Sequence, residues 1–163
     1  SQKPNVFVLA MPKAATASAL VETATKCRAT AVSPSAATRH ARAERFFAHV
    51  ALVDGHYAGV ALVAPAIVTQ TDGCWMEQFF VMKKYRRLGV GRSAAHFIFD
   101  QFRGKWEVGQ MPLNQPARAF WLRTISDYTG GNFVEHEFHD ECWDGYLQCF
   151  DNTELSGHSE GRR

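Results

Sequence analysis

The stretch EQFFVMKKYRRLGVGRSAAHFIFDQF, residues 77–102, joins an apolar run to an amphipathic pattern through a basic turn with two glycines. Its first residues have the aromatic and β-branched character of a buried strand. The residues after Gly91 place apolar side chains on one broad face at helical spacing. The stretch therefore predicts a strand that passes directly into a helix, with arginines at the junction.

The junction has the features of an anion-binding site. The first N–H groups of a helix lack intrahelical partners and carry partial positive charge. Gly89 and Gly91 remove Cβ atoms that would keep a phosphate away from these amides, and arginines add cationic partners. We therefore predict a phosphate or pyrophosphate site that consists of Arg87, Leu88, Gly89, Val90, Gly91 and Arg92, with Arg86 directly before it.

The rest of the chain predicts a mixed α/β domain around one largely antiparallel sheet. Asp54 and Gly55 separate two alternating apolar runs, which is the pattern of a β-hairpin. The strand and helix at the junction are followed by another strand, which the connection makes parallel to the first. Gly104 is expected to cap that helix. Further elements are predicted as strands at 5–10, 74–82, 105–111, 132–138 and 144–150 and a helix from Asn114 to the glycines at 130–131.

Domain organisation follows from the same pattern. Two weakly specified helices are expected within residues 11–45, the second capped by Ser35. We assign residues 1–150 to a single domain. Residues 151–163 have almost no apolar side chains and are expected to form a disordered tail.

Composition excludes several classes of protein. The 163 residues are 46% hydrophobic and 21% charged, and the net charge of +2 is too small to indicate a nucleic-acid or membrane partner. The longest apolar run, 59–68, contains Pro65 and is far shorter than the roughly 20 residues that span a bilayer. Pro12 and Lys13 interrupt a possible export signal. We expect a cytoplasmic protein with reduced thiols at Cys27, Cys74, Cys142 and Cys149.

Two segments resemble a known family. Residues 81–91 resemble the acetyl-CoA signature of the GNAT superfamily of N-acetyltransferases, (Q/R)xxGx(G/A), matched by Arg86, Gly89 and Gly91. Residues 114–121 resemble the Nxx(A/S)xxFY helix of the same family, matched by Asn114, Ala117 and Phe120. Residues 76–91 are most similar to the corresponding segment of diamine and polyamine acetyltransferases.

The resemblance implies a GNAT-like acyl-CoA N-acyltransferase fold for residues 1–150. In that fold the strand before the signature splays away from the strand after the helix, and pantetheine enters the gap like an added strand. Phe79 and Val81 would offer backbone groups to the pantetheine amides and the acetyl carbonyl. The helix at Asn114, Ala117 and Trp121 would complete the coenzyme site.

The implied activity is transfer of an acetyl group from acetyl-CoA to a primary amine, by direct attack in a ternary complex. Glu77 is the candidate base, because alternation along the strand places it on the face of Phe79 and Val81. Structural pairing of Glu77 with a lysine or arginine is the alternative role. Trp121 stands where many members carry a tyrosine acid, and indole cannot supply that proton.

Other interpretations remain open at this stage. A non-catalytic acyl-CoA-binding or sensing module would keep the cleft without transfer. GVGRSA, residues 89–94, also fits a dinucleotide fingerprint, although at least three strands precede it. Gln78 replaces an acidic residue of the polyamine enzymes. We expect an amine acceptor as partner, no metal site and no nucleic acid, and the resemblance leaves a homodimer open.

Overall fold

The computed structural model describes residues 5–10, 46–64, 72–139 and 143–155 of the chain. The helices expected within residues 11–45 lie outside this part. The described elements, in chain order, are β1 (Val6–Ala10), β2 (Phe47–Val53), β3 (His56–Ala64), β4 (Cys74–Val81), a 3-10 turn (Lys83–Tyr85), α1 (Val90–Gln101), β5 (Lys105–Gln110), α2 (Gln115–Thr129), β6 (Val134–His139) and β7 (Asp144–Asp151).

The described strands form one seven-stranded sheet in the order β1-β2-β3-β4-β5-β7-β6. Neighbouring strands are antiparallel except for β4 and β5, which are parallel. The predicted mixed α/β architecture is confirmed. The dinucleotide interpretation is wrong, because it requires a doubly wound parallel sheet. Neither of the two described helices is long and apolar enough to cross a bilayer.

The hairpin of β2 and β3 is the local prediction that the structure confirms most directly. Asp54 and Gly55 both have positive φ angles, 49° and 79°. Two consecutive residues of this kind make the tight turn whose twist matches that of paired strands. The hairpin places β3 beside β4, with which it pairs from Gly59 to Ala64.

Both helices pack on one face of the sheet. Phe99 of α1 lies at the centre of this core, with ring centroids 4.9 Å from those of Trp106 and Phe150. The helical residues buried in the same cluster are Ala95, Ile98, Phe99, Trp121, Ile125 and Tyr128, and the sheet contributes Ala61, Val63, Met76, Trp106, Val108 and Phe150. The shared core fixes α1 and α2 relative to the strands that lead into them.

The end of α1 differs from the prediction. The helix ends at Gln101, and Gly104 does not cap it. Asn152 does so instead, because its Nδ2 donates to the backbone oxygens of Phe99 and Phe102 at 2.7 and 3.2 Å. Its Oδ1 accepts from the N–H of Gly104 at 2.8 Å. One fully buried side chain thus bonds to the carbonyl of Phe99 in the last turn and to that of the C-cap residue Phe102.

The first five residues of the predicted tail lie within the described part of the chain. Residues 151–155 include the last residue of β7 and the buried Asn152. Arg103 also donates to the backbone oxygen of Leu155 at 2.6 Å. The prediction of disorder is therefore wrong for residues 151–155, and residues 156–163 lie outside the described part of the chain.

Replacing Asn152 with alanine should lower the free energy of unfolding by about 2–3 kcal/mol, because it removes the bonds of the Asn152 side chain to the buried carbonyl of Phe99 and to the part-buried N–H of Gly104. Urea denaturation followed by circular dichroism measures this loss. Thr153→Ala, at the exposed neighbouring position, should change stability by less than about 0.5 kcal/mol. Equal stability of the two variants would contradict the capping role.

Candidate active site

Strands β4 and β5 separate soon after they meet. Their ladder contains only the pairs Cys74 with Trp106 and Trp75 with Glu107. Both strands continue, through residues 76–81 and 108–110, without further pairing to each other. The splayed parallel pair that the resemblance implied is confirmed, and it leaves an open edge inside the sheet.

A β-bulge in β4 begins where the strands diverge. Leu62 pairs with Gln78, whereas the next residue of β3, Val63, pairs with Met76. Glu77 is therefore the extra residue of the bulge. The alternation that we used to place Glu77 on the face of Phe79 is interrupted at Glu77 itself, so this placement stays a prediction that alternation alone does not support. Glu77 is half-buried beside the gap.

The peptide groups of Phe79 and Val81 face the gap. Met82 donates its N–H to the oxygen of Ala58 in β3 at 2.8 Å. Hydrogen-bonded positions alternate along an antiparallel pair, so Phe80 and Met82 are the residues that bond to β3. Phe79 and Val81 therefore direct their N–H and C=O groups away from β3, toward β5. These are the two residues from which we predicted coenzyme contacts.

Arg86 makes a hydrogen bond to one of these gap-facing groups. Its Nε donates to the backbone oxygen of Val81 at 2.8 Å. Its guanidinium carbon lies 5.7 Å from the centre of the Phe80 ring. This bond ties the junction to the end of β4. The Val81 N–H and the N–H and C=O of Phe79 are then the groups of this edge that are more available to a ligand.

The junction between β4 and α1 contains two residues with left-handed backbone conformation. Gly89 is the N-cap of α1 with φ of 81°, and Arg87 has φ of 64°. A Cβ atom at Gly89 would meet no other atom within 4 Å. No described side chain caps this end of α1, and its first turn contains no acidic residue. The amides that begin α1 therefore fit an anionic group.

Gly91 has a packing role that the sequence analysis did not predict. A Cβ atom there would lie 3.2 Å from two ring carbons of Phe120 and 3.5 Å from Cγ2 of Val81. The glycine lets α2 approach α1 and β4 closely. Its small size thus serves helix packing, and its clearance for a phosphate stays a prediction.

The other junction residues divide between core and surface. Val90 is fully buried in a small cluster with Val53 and Ala58. Leu88 is exposed. Arg92 makes an exposed ion pair with Asp127, 3.1 Å between Nη1 and Oδ2, a kind of pair that contributes little to stability.

The first turns of α2 lie against the edge of β4. Asn114 is the N-cap, as predicted, and its Oδ1 accepts from the N–H of Ala117 at 3.3 Å. Trp121 is buried, with its ring centroid 4.9 Å from that of Phe79. Phe120 stacks on the same ring at 5.8 Å. The structure thus brings the two predicted coenzyme segments together.

Tyr128 cannot replace the missing tyrosine acid. It lies at the far end of α2, and its hydroxyl donates to Oδ1 of Asp100 at 2.8 Å. Burial, together with this hydrogen bond, raises the pKa of Tyr128 to about 12. A phenol held in this way is a poor proton donor to a thiolate.

Glu107 is a buried carboxylate that the sequence analysis missed. It is fully buried at the last position of β5 that pairs with β4, opposite Trp75. A charged residue inside the apolar run WEV was the available signal, because charged side chains are seldom fully buried. Burial, and secondarily the charge of Glu107, raises the pKa of Cys149 to about 11, so that thiol is a weak nucleophile.

Comparison with known proteins gives a family match. A family model described as the Acetyltransferase (GNAT) family matches residues 16–126. No curated protein sequence matches the chain.

Solved structures share the fold at low sequence identity. The IAA acetyltransferase from Bacillus cereus is 14% identical, covers 90% of this chain and 99% of its own, and gives a TM-score of 0.57. A GNAT family acetyltransferase from Elizabethkingia anophelis with acetyl-CoA bound is 12% identical, with 90% and 98% coverage and a TM-score of 0.56. The ribosomal-protein-S18-alanine N-acetyltransferase from Escherichia coli is 16% identical, with 97% and 100% coverage and a TM-score of 0.54.

The left-handed backbone at Arg87 gives a stability prediction. Because a Cβ atom costs about 1 kcal/mol in this conformation, Arg87→Gly should be more stable than Arg87→Ala by about that amount. Both variants remove the same charge, so the pair isolates the backbone effect. Urea denaturation of the two proteins measures it. A more stable alanine variant would mean that the junction is not strained.

Proposed function

Since the chain belongs to the GNAT family of acetyltransferases, we propose that it transfers the acetyl group of acetyl-CoA to a primary amine within one ternary complex. The acceptor is a small amine or a protein amino group. The open backbone edge of β4 beside the two-pair ladder with β5 is the observation that carries the proposal.

Acetyl-CoA fits the groups that surround this edge. The pyrophosphate would be held by the amides that begin α1, from Arg87 to Arg92, where Gly89 opens toward free space. The pantetheine arm would pair with the peptide groups of Phe79 and Val81 in the manner of an added strand. Asn114, Ala117 and Trp121 place α2 along the other side of this path.

Bound acetyl-CoA would supply an activated thioester carbonyl. Glu77 receives the proton of the acceptor amine, directly or through a water molecule, so that the nitrogen carries a free electron pair for attack. A backbone N–H of the open edge donates to the carbonyl oxygen as negative charge develops there. The position of Glu77 in the bulge, at the start of the gap, supports this assignment.

In this proposal no tyrosine of α2 donates a proton to the departing thiolate. Trp121 has a buried indole, and the Tyr128 hydroxyl is bonded to Asp100. A thiolate is a good enough leaving group to depart without an acid. Transfer therefore depends mainly on orientation of the coenzyme and on Glu77.

A non-catalytic acyl-CoA-binding or sensing module is the second candidate function. Trp121 in place of a tyrosine is the observation that favours it. Such a module would bind acetyl-CoA with an affinity similar to that of an enzyme. Absence of thiol release with every acceptor would distinguish it from the transferase.

Finer properties stay predictions. Polyamines belong in the acceptor panel because residues 76–91 are similar to those of polyamine acetyltransferases, although Gln78 replaces an acidic residue there. A cytoplasmic location is consistent with the free thiols of Cys74 and Cys149. A homodimer is compatible with the proposal.

Isothermal titration should show acetyl-CoA binding that Gly91→Glu abolishes. The added side chain meets the Phe120 ring, and its charge repels the pyrophosphate. Gly91→Ala adds only the Cβ atom and should keep weaker, measurable binding. No binding by the unaltered protein would contradict both the transferase and the sensing module.

Glu77→Gln should slow transfer by about 10²-fold while leaving the dissociation constant for acetyl-CoA unchanged, because it removes the base and keeps the shape of the side chain. Release of free thiol across a panel of small amines, polyamines and peptide amino termini measures the rate. Glu154→Gln, a matched change at an exposed position far along the chain, is the control. Unaltered rates in Glu77→Gln would remove this residue from the mechanism.

A further inference from the structure

The start of α2 is attached to the far edge of the sheet. Arg118 follows Ala117 and lies one turn before Trp121. Its Nε and Nη2 donate to the two carboxylate oxygens of Glu135 in β6, at 3.2 and 2.5 Å. Its guanidinium carbon lies 3.6 Å from the centre of the Tyr146 ring in β7. A planar guanidinium that is bonded to a carboxylate and stacked on an aromatic ring has little freedom to move.

This attachment is better shielded from solvent than a surface ion pair. The side chains of Arg118 and Glu135 are 29% and 21% exposed, against 59% and 51% for Arg92 and Asp127. Fully buried Gln148 donates its Nε2 to Glu135 at 2.5 Å. The hydrogen bond from Arg118 lowers the pKa of the Glu135 carboxyl, which keeps it ionised. The ion pair of Arg118 and Glu135 has two hydrogen bonds and is partly buried, so it is stronger and more directional than the exposed pair of Arg92 and Asp127.

The same turns of α2 also contact β4. Phe120 and Trp121 contact the Phe79 ring there, across the gap from the attachment of Arg118. In the sheet, β5 and β7 lie between β4 and β6. The same helical turns therefore span the sheet from the coenzyme edge to its far edge. Their position relative to β4 depends on both attachments.

We propose that Glu135 is a positioning residue for acetyl-CoA binding. By holding Arg118, it sets the place of the first turns of α2 relative to the open edge of β4, where the pantetheine arm enters. Glu135 acts only through Arg118 and does not contact the coenzyme in this role. The inference rests on the proposed function, because the coenzyme path is the one assigned there.

The test is isothermal titration of acetyl-CoA into the Glu135→Gln variant, which keeps the side-chain shape and removes the charge. Loss of the ionic contact frees the start of α2, so we expect the dissociation constant to rise about tenfold. Hydrogen exchange should become faster at the amides of residues 117–121. Arg118→Met should give a similar rise, and the double variant should add little to either, since both remove one interaction.

Tyr128→Phe is the matched control. It lies on the same helix at the far end and loses its hydrogen bond to Asp100, so it lowers the melting temperature without disturbing the start of α2. Its dissociation constant should stay that of the unaltered protein. Arg118→Lys keeps the charge and loses the two-point contact, and it should weaken binding by an intermediate factor even if Glu135→Gln does not fold.

The outcomes separate the two proposals. Acetyl-CoA binding that is equally tight in the unaltered protein and in the Glu135 and Arg118 variants would overturn the positioning role and leave the proposed function standing. An equal loss of affinity in Tyr128→Phe would also overturn it, because general destabilisation would then explain the effect. No binding by the unaltered protein would overturn both.

Discussion

Strands β4 and β5 can diverge because each is also paired with another strand on its other side. β3 pairs with β4 up to Val81, and β7 pairs with every residue of β5 from Lys105 to Gln110. An open backbone edge in the middle of a sheet leaves polar groups without partners, which is unfavourable unless water or a ligand satisfies them. The two outer ladders and the shared helical core keep the sheet together while that edge stays available. The rest of the site is arranged around it.

The junction after β4 shows how one short motif combines several physical requirements. Gly89 is needed for its left-handed backbone, and Gly91 for the close approach of Phe120. Val90 anchors the turn in the core, while Arg86 bonds back to Val81. Arg87 keeps a side chain in a conformation that favours glycine, and strain of this kind is commonly retained where a residue contacts a ligand.

Helix α2 connects regions that are separate in the chain. Its first turns contact Phe79 in β4 and, through Arg118, Glu135 in β6 and Tyr146 in β7. Its far end is joined to α1 by the bond between Tyr128 and Asp100. Under the proposed positioning role, changes at the edge of the sheet would reach the proposed coenzyme site through this helix, without contact between the two.

The sequence by itself determined the features whose physical causes lie within a few residues. The turn at Asp54 and Gly55, the N-cap at Asn114 and the glycine junction were all predicted, and the signature motifs identified the family. Tertiary structure alone decided the cap of α1 by Asn152, the bulge at Glu77 and the contact of Arg118 with Glu135. A cap from about 50 residues away leaves no local pattern, and a bulge exists only relative to the partner strand. Local conformational preferences can be read along the chain, whereas pairing between distant segments depends on how the whole sheet and core pack together.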